Sequence, residues 1–143
     1  MHKNLDPPEF GSTAALAQMH AHCPTIRLHL WLEGSEGVFF GYGRLLLLDR
    51  IETCGSLKKA SEEMGMSYRA AWGKIKQTEE VLGFQLIERV GSRRSGYRLT
   101  EAGRVVRDKY FEWFNRVEQD ARMRADEIFP WRSKSFGEDI STP

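Results

Sequence analysis

The chain has 143 residues, with 21 lysines and arginines against 20 aspartates and glutamates, and 41% of it is hydrophobic. That length holds one ordinary domain with extensions rather than two. The formal net charge of +1 excludes a histone-like polycation, and an aromatic share of 11% suffices for a buried core.

The longest aliphatic run, Leu45 to Leu48, is too short to cross a bilayer. Asp6, Pro7, Pro8 and Glu9 interrupt any secretory leader, so a cytoplasmic protein with no membrane anchor is expected. Cys23 and Cys54 are far apart and form no CxxC pair, which excludes a disulfide framework and a four-cysteine zinc site. Both are expected as reduced thiols.

Residues 1–24 read as a tail, with one short helix near Thr13 to His20. From Ile26, apolar residues alternate with Arg27, His29, Trp31 and Glu33, the period-two pattern of a strand with one buried face. Gly34 to Gly37 supplies a turn and Val38 to Phe40 a return strand. A first helix is expected from Arg44 to Thr53, stopped by Gly55. Ser56 is placed to cap a short second helix from Leu57 to about Met64, and Gly65 to terminate it.

Ser67 can cap a third helix from Tyr68 to Leu82, ended by Gly83. Two short helices joined by a glycine-containing turn are a helix-turn-helix arrangement. Leu86 to Val90 and Tyr97 to Leu99 then read as strands flanking a basic loop over residues 91–96. Thr100 can cap a long helix from Glu101 to about Ile128, with a stripe of Val106, Tyr110, Trp113, Val117, Ala121 and Ile128. At about 1.5 Å per residue this helix extends roughly 42 Å, longer than the body of so small a domain, so its far half needs a partner. Pro130 ends it, and residues 130–143 read as a loose C-terminal tail. The expected fold is mainly α with small β-hairpins, a winged helix-turn-helix over residues 25–129.

Placed at 100° intervals, Ala71, Ile75, Thr78 and Leu82 form the inward stripe of the third helix. Arg69, Gly73, Lys76 and Gln77 fall on the opposite face, with Ser67, Tyr68 and Trp72 near the N-terminal end, where recognition helices meet base edges. Arginine pairs with guanine O6 and N7, while Lys76 and the helix N-terminal amides suit phosphates. Gly73 weakens a helix interior unless something must approach closely, as a DNA backbone does. For any one of these residues a solvated or core role is an equally good account. The constellation is harder to dismiss, because Ser67 to Arg98 holds seven basic residues against three acidic ones. That makes a basic surface of the helix and hairpin, as phosphate binding requires.

The run Ser56-Leu57-Lys58-Lys59-Ala60, followed by Gly65-Met66-Ser67-Tyr68-Arg69-Ala70-Ala71-Trp72, resembles the N-terminal winged helix-turn-helix of ModE-type molybdate-responsive regulators. More distantly, it is similar to the LysR-type DNA-binding domain. The resemblance covers roughly residues 25–125. It implies a homodimeric transcriptional regulator that inserts the helix of residues 67–82 into the major groove of double-stranded DNA at a near-palindromic operator. By position, Ser67, Tyr68, Arg69 and Trp72 take the recognition role and Arg93 and Arg94 the wing role. Dimerisation falls to the first and long helices, through Leu45, Leu48, Val106, Tyr110, Trp113, Val117 and Ala121. ModE regulators also carry C-terminal molybdate-binding repeats. After Ile128 the sequence offers only a short tail, so molybdate sensing is not carried over.

His20, His22 and Cys23 lie close in sequence but lack a second ligand cluster, so no metal site is expected. Phe40-Gly41-Tyr42-Gly43 lacks the third glycine of a dinucleotide fingerprint and reads as a turn. Glu79 and Glu80 read as helix-surface charges. Nothing supports an enzyme or a bound cofactor. The competing reading is a winged-helix protein interaction module whose basic face meets an acidic partner.

Overall fold

The structure, a computed structural model, describes residues 13–92, 94 and 96–136. These divide into two compact units, one spanning His29–Asn115 and one formed by the described residues up to Leu28 and from Arg116 onward.

In the first unit, strands β2 (Leu32–Gly34) and β3 (Gly37–Phe40) form an antiparallel hairpin ahead of helix α2 (Tyr42–Cys54). Helices α3 (Leu57–Glu63) and α4 (Tyr68–Leu82) follow, then the antiparallel strands β4 (Ile87–Arg89) and β5 (Tyr97–Leu99) of the wing. Helix α5 (Glu101–Ile128) begins in this unit and continues into the other. The second unit also contains α1 (Thr13–His20) and the strands β1 (Thr25–Ile26) and β6 (Lys134–Ser135), which pair in parallel. Among the described residues no helix is long and apolar enough to cross a membrane.

Local chemistry fixes the helix boundaries. The Ser56 side chain accepts from Lys59 N at 3.1 Å, and the Ser67 side chain accepts from Ala70 N at 3.1 Å, each satisfying an amide that lacks an intrahelical partner. Between them Gly65 takes φ 67°, a left-handed conformation that costs glycine little, and so turns the chain from α3 into α4. Thr100 caps α5 by accepting from Gly103 N at 3.0 Å.

The core of the first unit joins Leu47, Leu48 and Ile51 of α2 to Leu57 and Ala60 of α3 and to Ala71 and Ile75 of α4, with Leu86, Ile87 and Leu99 from around the wing. Tyr110 and Phe114 close it from α5, their rings meeting Phe40 at 5.0 Å and Tyr42 at 4.7 Å respectively. The wing is tied to the turn between α2 and α3, because Ser56 bridges Gly96 and Tyr97 N donates to Gly55 O.

Two expectations need correction. The strand anticipated over Ile26 to Leu32 is broken, since residues 27–31 carry no strand and pairing resumes only at Leu32. Part of the reason is visible at Leu30, whose carbonyl accepts from the Tyr110 hydroxyl at 2.7 Å instead of from a neighbouring strand. Lys134 and Ser135, expected within a loose tail, instead register against Thr25 and Ile26, while residues 137–143 of that tail lie outside the described residues.

Candidate nucleic-acid interface

Helix α4 presents its N-terminal turn outward. Ser67, Tyr68, Arg69 and Ala70 are all exposed, as are Gly73 and Lys74 one turn further on. On the opposite side Ala71, Ile75 and Thr78 are buried and Leu82 is half-buried, as their spacing requires. A Cβ added at Gly73 would meet nothing within 4 Å, so its lack of a side chain leaves open space on the outer face.

Trp72 is half-buried, its ring 5.9 Å from that of Tyr97 on β5. Tyr68 lies close enough to Tyr97 for the two hydroxyls to influence each other. Burial first, then Tyr97, raises the Tyr68 phenol above its ordinary pKa, while Arg89 partly opposes this, so Tyr68 faces solvent as a neutral hydroxyl. Two aromatic residues of α4 therefore rest against Tyr97, which places β5 of the wing beside the N-terminal turn of the helix. On that hairpin Arg94 is exposed, and its carbonyl accepts from Arg89 Nη2 at 3.3 Å. Arg93, the other anticipated wing contact, lies outside the described residues.

Several side chains assigned to DNA or to a surface prove to be engaged within the protein. Gln77 accepts from Arg44 Nη2 at 2.7 Å, and Arg44 Nη1 donates to Thr78 Oγ1 at 2.9 Å and to the Phe39 carbonyl. Arg44 thus links α2, β3 and α4, a role with no signature in a helical pattern. Lys76 donates to Glu79 Oε1 at 2.8 Å and lies 4.3 Å from the centroid of the Trp72 ring. Its ammonium is thus engaged within the helix, while the side chain stays 38% exposed. Glu79, read as a surface charge, is buried, because its other oxygen accepts from the backbone N–H groups of Leu86 and Ile87.

The charge balance of this face sharpens as a result. Glu79 is matched by Lys76, and Glu88 by Arg98 at 2.8 Å. Arg69, Lys74, Arg89 and Arg94 remain among the described residues, with Glu80 as the exposed acid of the same segment. Fixed cations around an exposed helix N-terminus are suited to a polyanion.

The anticipated dimerisation residues divide by burial. Leu45, Leu48 and Tyr110 are buried in the core of their own unit, where packing against neighbouring elements has already removed them from water. Trp113 is exposed and Val106, Val117 and Ala121 are half-buried. Alongside them α5 exposes Val105 and Phe111, which the expected stripe omitted. A groove of about 360 Å³ between α2 and the first half of α5 is lined by Tyr42, Leu46, Asp49, Arg107 and Phe111. In the other unit His22 and Cys23 line a shallow pocket with Pro24 and Trp131. Among the described residues no group of three metal-ligating side chains gathers.

No curated protein sequence matches the chain. Among solved structures, it is similar to the CbnR DNA-binding domain in complex with DNA, with 21% identity over 60% of this chain and 99% of that one and a TM-score of 0.49. It is also similar to the BenM DNA-binding domain on benA site 1 DNA, with 25% identity over 58% and 90% of the two chains and a TM-score of 0.46. Vibrio fischeri DarR in complex with DNA shares 19% identity over 59% of this chain, with a TM-score of 0.48, and the match spans only 28% of DarR. The model of bacterial regulatory helix-turn-helix proteins of the lysR family matches residues 43–104, from the start of α2 to the first turn of α5. That stretch is similar to the helix-turn-helix of lysR-family regulators.

Proposed function

We propose that the protein is a homodimeric, sequence-specific regulator of transcription that places the N-terminal turn of α4 in the major groove of double-stranded DNA and the wing on flanking phosphates. The observation that carries this reading is Arg69, exposed on the first turn of a capped helix and without an ion pair among the described residues, beside a wing whose Arg94 is also exposed. A guanidinium so placed can make a bidentate contact with guanine, and Ser67 and Tyr68 supply neutral hydroxyls beside it. Lys74 and Arg94 are the phosphate contacts of this arrangement. The exposed apolar residues of α5 and the groove beside α2 supply the surface for a second copy. Two copies would present two α4 helices to a near-palindromic operator. The Gly-x-Ser-Tyr-Arg-x-Ala-Trp run at Gly65 to Trp72 supports kinship with ModE-type regulators at the level of this helix; no molybdate site is part of the reading.

The test is selection of bound sequences from a random duplex pool, with Arg69→Ala in parallel. An inverted repeat with half-sites about one helical turn apart is expected, and Arg69→Ala should reduce discrimination at one base pair by about 1–3 kcal/mol. Arg94→Ala should flatten the salt dependence by about 1 with no change of preference. Absence of any binding at low salt would reject the DNA reading in favour of a protein-binding module.

A further inference from the structure

Glu79 is the only buried acidic side chain among the described residues, at 8% exposure, and the DNA-binding reading gives it no part. Its two oxygens have separate tasks. Oε2 accepts from Leu86 N at 2.7 Å and from Ile87 N at 3.4 Å, which ties the end of α4 to the start of the wing. Oε1 accepts from Lys76 Nζ at 2.8 Å. The ammonium is held on a second side by the Trp72 ring, 4.3 Å away, and that ring in turn faces Tyr97 of β5.

A carboxylate this shielded needs a compensating cation, because screening by water is weak and an unmatched charge there is unfavourable. Lys76 is therefore held between Glu79 and the Trp72 ring, its side chain 38% exposed. A lysine on the same helix without this partner would be a mobile cation beside the recognition face, able to reach a phosphate of any sequence.

We infer that Glu79 is a positioning residue that keeps Lys76 off the DNA backbone, leaving contact with phosphate to Arg94, Lys74 and their neighbours. The inference rests on the DNA-binding reading above. It makes Glu79 a control on sequence-independent affinity: releasing Lys76 adds one phosphate contact, which strengthens binding to every duplex alike and steepens its salt dependence. Each such contact changes the slope of log K against log salt by about 0.9.

The experiment measures that slope on a short duplex of arbitrary fixed sequence for wild type, Lys76→Met, Glu79→Gln and the double variant. Glutamine keeps an acceptor for the Leu86 amide while removing the charge that holds Lys76. Glu79→Gln is expected to steepen the slope by about 1 and to tighten low-salt binding several-fold. Lys76→Met alone should leave the slope at the wild-type value, and adding it to Glu79→Gln should restore that value. If Glu79→Gln and the double variant share one steep slope, the gain comes from the lost carboxylate and not from Lys76, and the inference is overturned. A flatter slope for Lys76→Met alone overturns it as well, since Lys76 would already be touching phosphate. Folding of each variant is checked by circular dichroism, and a flatter slope for a folded Lys76→Met overturns the inference even where Glu79→Gln does not fold. Failure of the wild type to bind any duplex at low salt removes the DNA-binding reading itself, whereas wild-type binding with a flattened Lys76→Met slope removes only the inference about Glu79.

Discussion

Helix α4 and the first half of α5 lie in the same compact unit and begin in the same way, each on a hydroxyl side chain that accepts a backbone amide three residues ahead. They differ in what becomes of their apolar residues. On α4, Ala71 and Ile75 are at most 1% exposed and, Tyr68 and Val81 apart, the open side is mostly charged, polar or small. On α5, Val105 is 52% exposed, Phe111 49% and Trp113 39%. Helix α4 completes its packing within the unit and offers solvent a face suited to a polyanion. Helix α5 leaves apolar area uncovered, which suits a protein surface. One unit thus carries two faces of different chemistry, and substitutions should separate them.

The largest effect is expected where α5 meets the wing. A Cβ at Gly103 would lie 2.1 Å from the Leu86 carbonyl oxygen, a backbone atom with no freedom to retreat because it accepts from Thr100 N. Gly103→Ala should therefore cost about 4 kcal/mol or more, read as loss of the cooperative urea transition. Ile75→Ala on the buried side of α4 should cost about 3 kcal/mol in the same measurement, from lost burial plus the cavity left behind. Phe111→Ser should barely change the stability of the separated subunit. It should weaken self-association about tenfold, or about 1.4 kcal/mol, by sedimentation across a concentration series. A Phe111→Ser protein whose subunit unfolds as readily as Ile75→Ala would erase the distinction between the two helices.

The smallest effect concerns pH. Burial alone would raise the Glu52 carboxyl, but the Leu99 amide at 2.8 Å and the guanidinium groups of Arg104 and Arg107 outweigh it, and the net shift is downward. A depressed folded-state value means that the carboxylate adds stability above its unfolded pKa and that this is lost as pH falls through the lower folded value. Because Glu52 is partly exposed, Glu52→Gln should cost under about 1 kcal/mol at neutral pH, and the gap should close in acid. A gap unchanged at low pH would show that packing, not charge, accounts for it.

What could be read beforehand follows from the range of the forces involved. The bounds of α4 and α5 came from hydroxyl caps and spacing, all encoded within a few residues of each end. The partners of Glu79, Lys76 and Gln77 did not, because helical periodicity assigns a direction to a side chain but not its reach. Glu79 bends to amides seven and eight residues onward, and Gln77 meets an arginine from another helix. The alternation from Ile26 to Leu32 misled for a related reason. It marks residues in extended chain, but a strand also needs a neighbour, and that depends on distant sequence. Leu45 and Leu48 were assigned to the dimer by resemblance, and only packing reveals that the unit buries them itself.

The pairing of β1 with β6 has a consequence for the order of folding. Two residue pairs join Thr25 and Ile26 to Lys134 and Ser135, closing nearly the whole described chain into a loop. Loop-closure entropy rises with the length enclosed, whereas the ladder that repays it is as short as a strand pair can be. The ladder should be the last element to assemble and the first to open, so that the Lys134 amide, which donates to Pro24 O, exchanges with solvent long before the amides of α4.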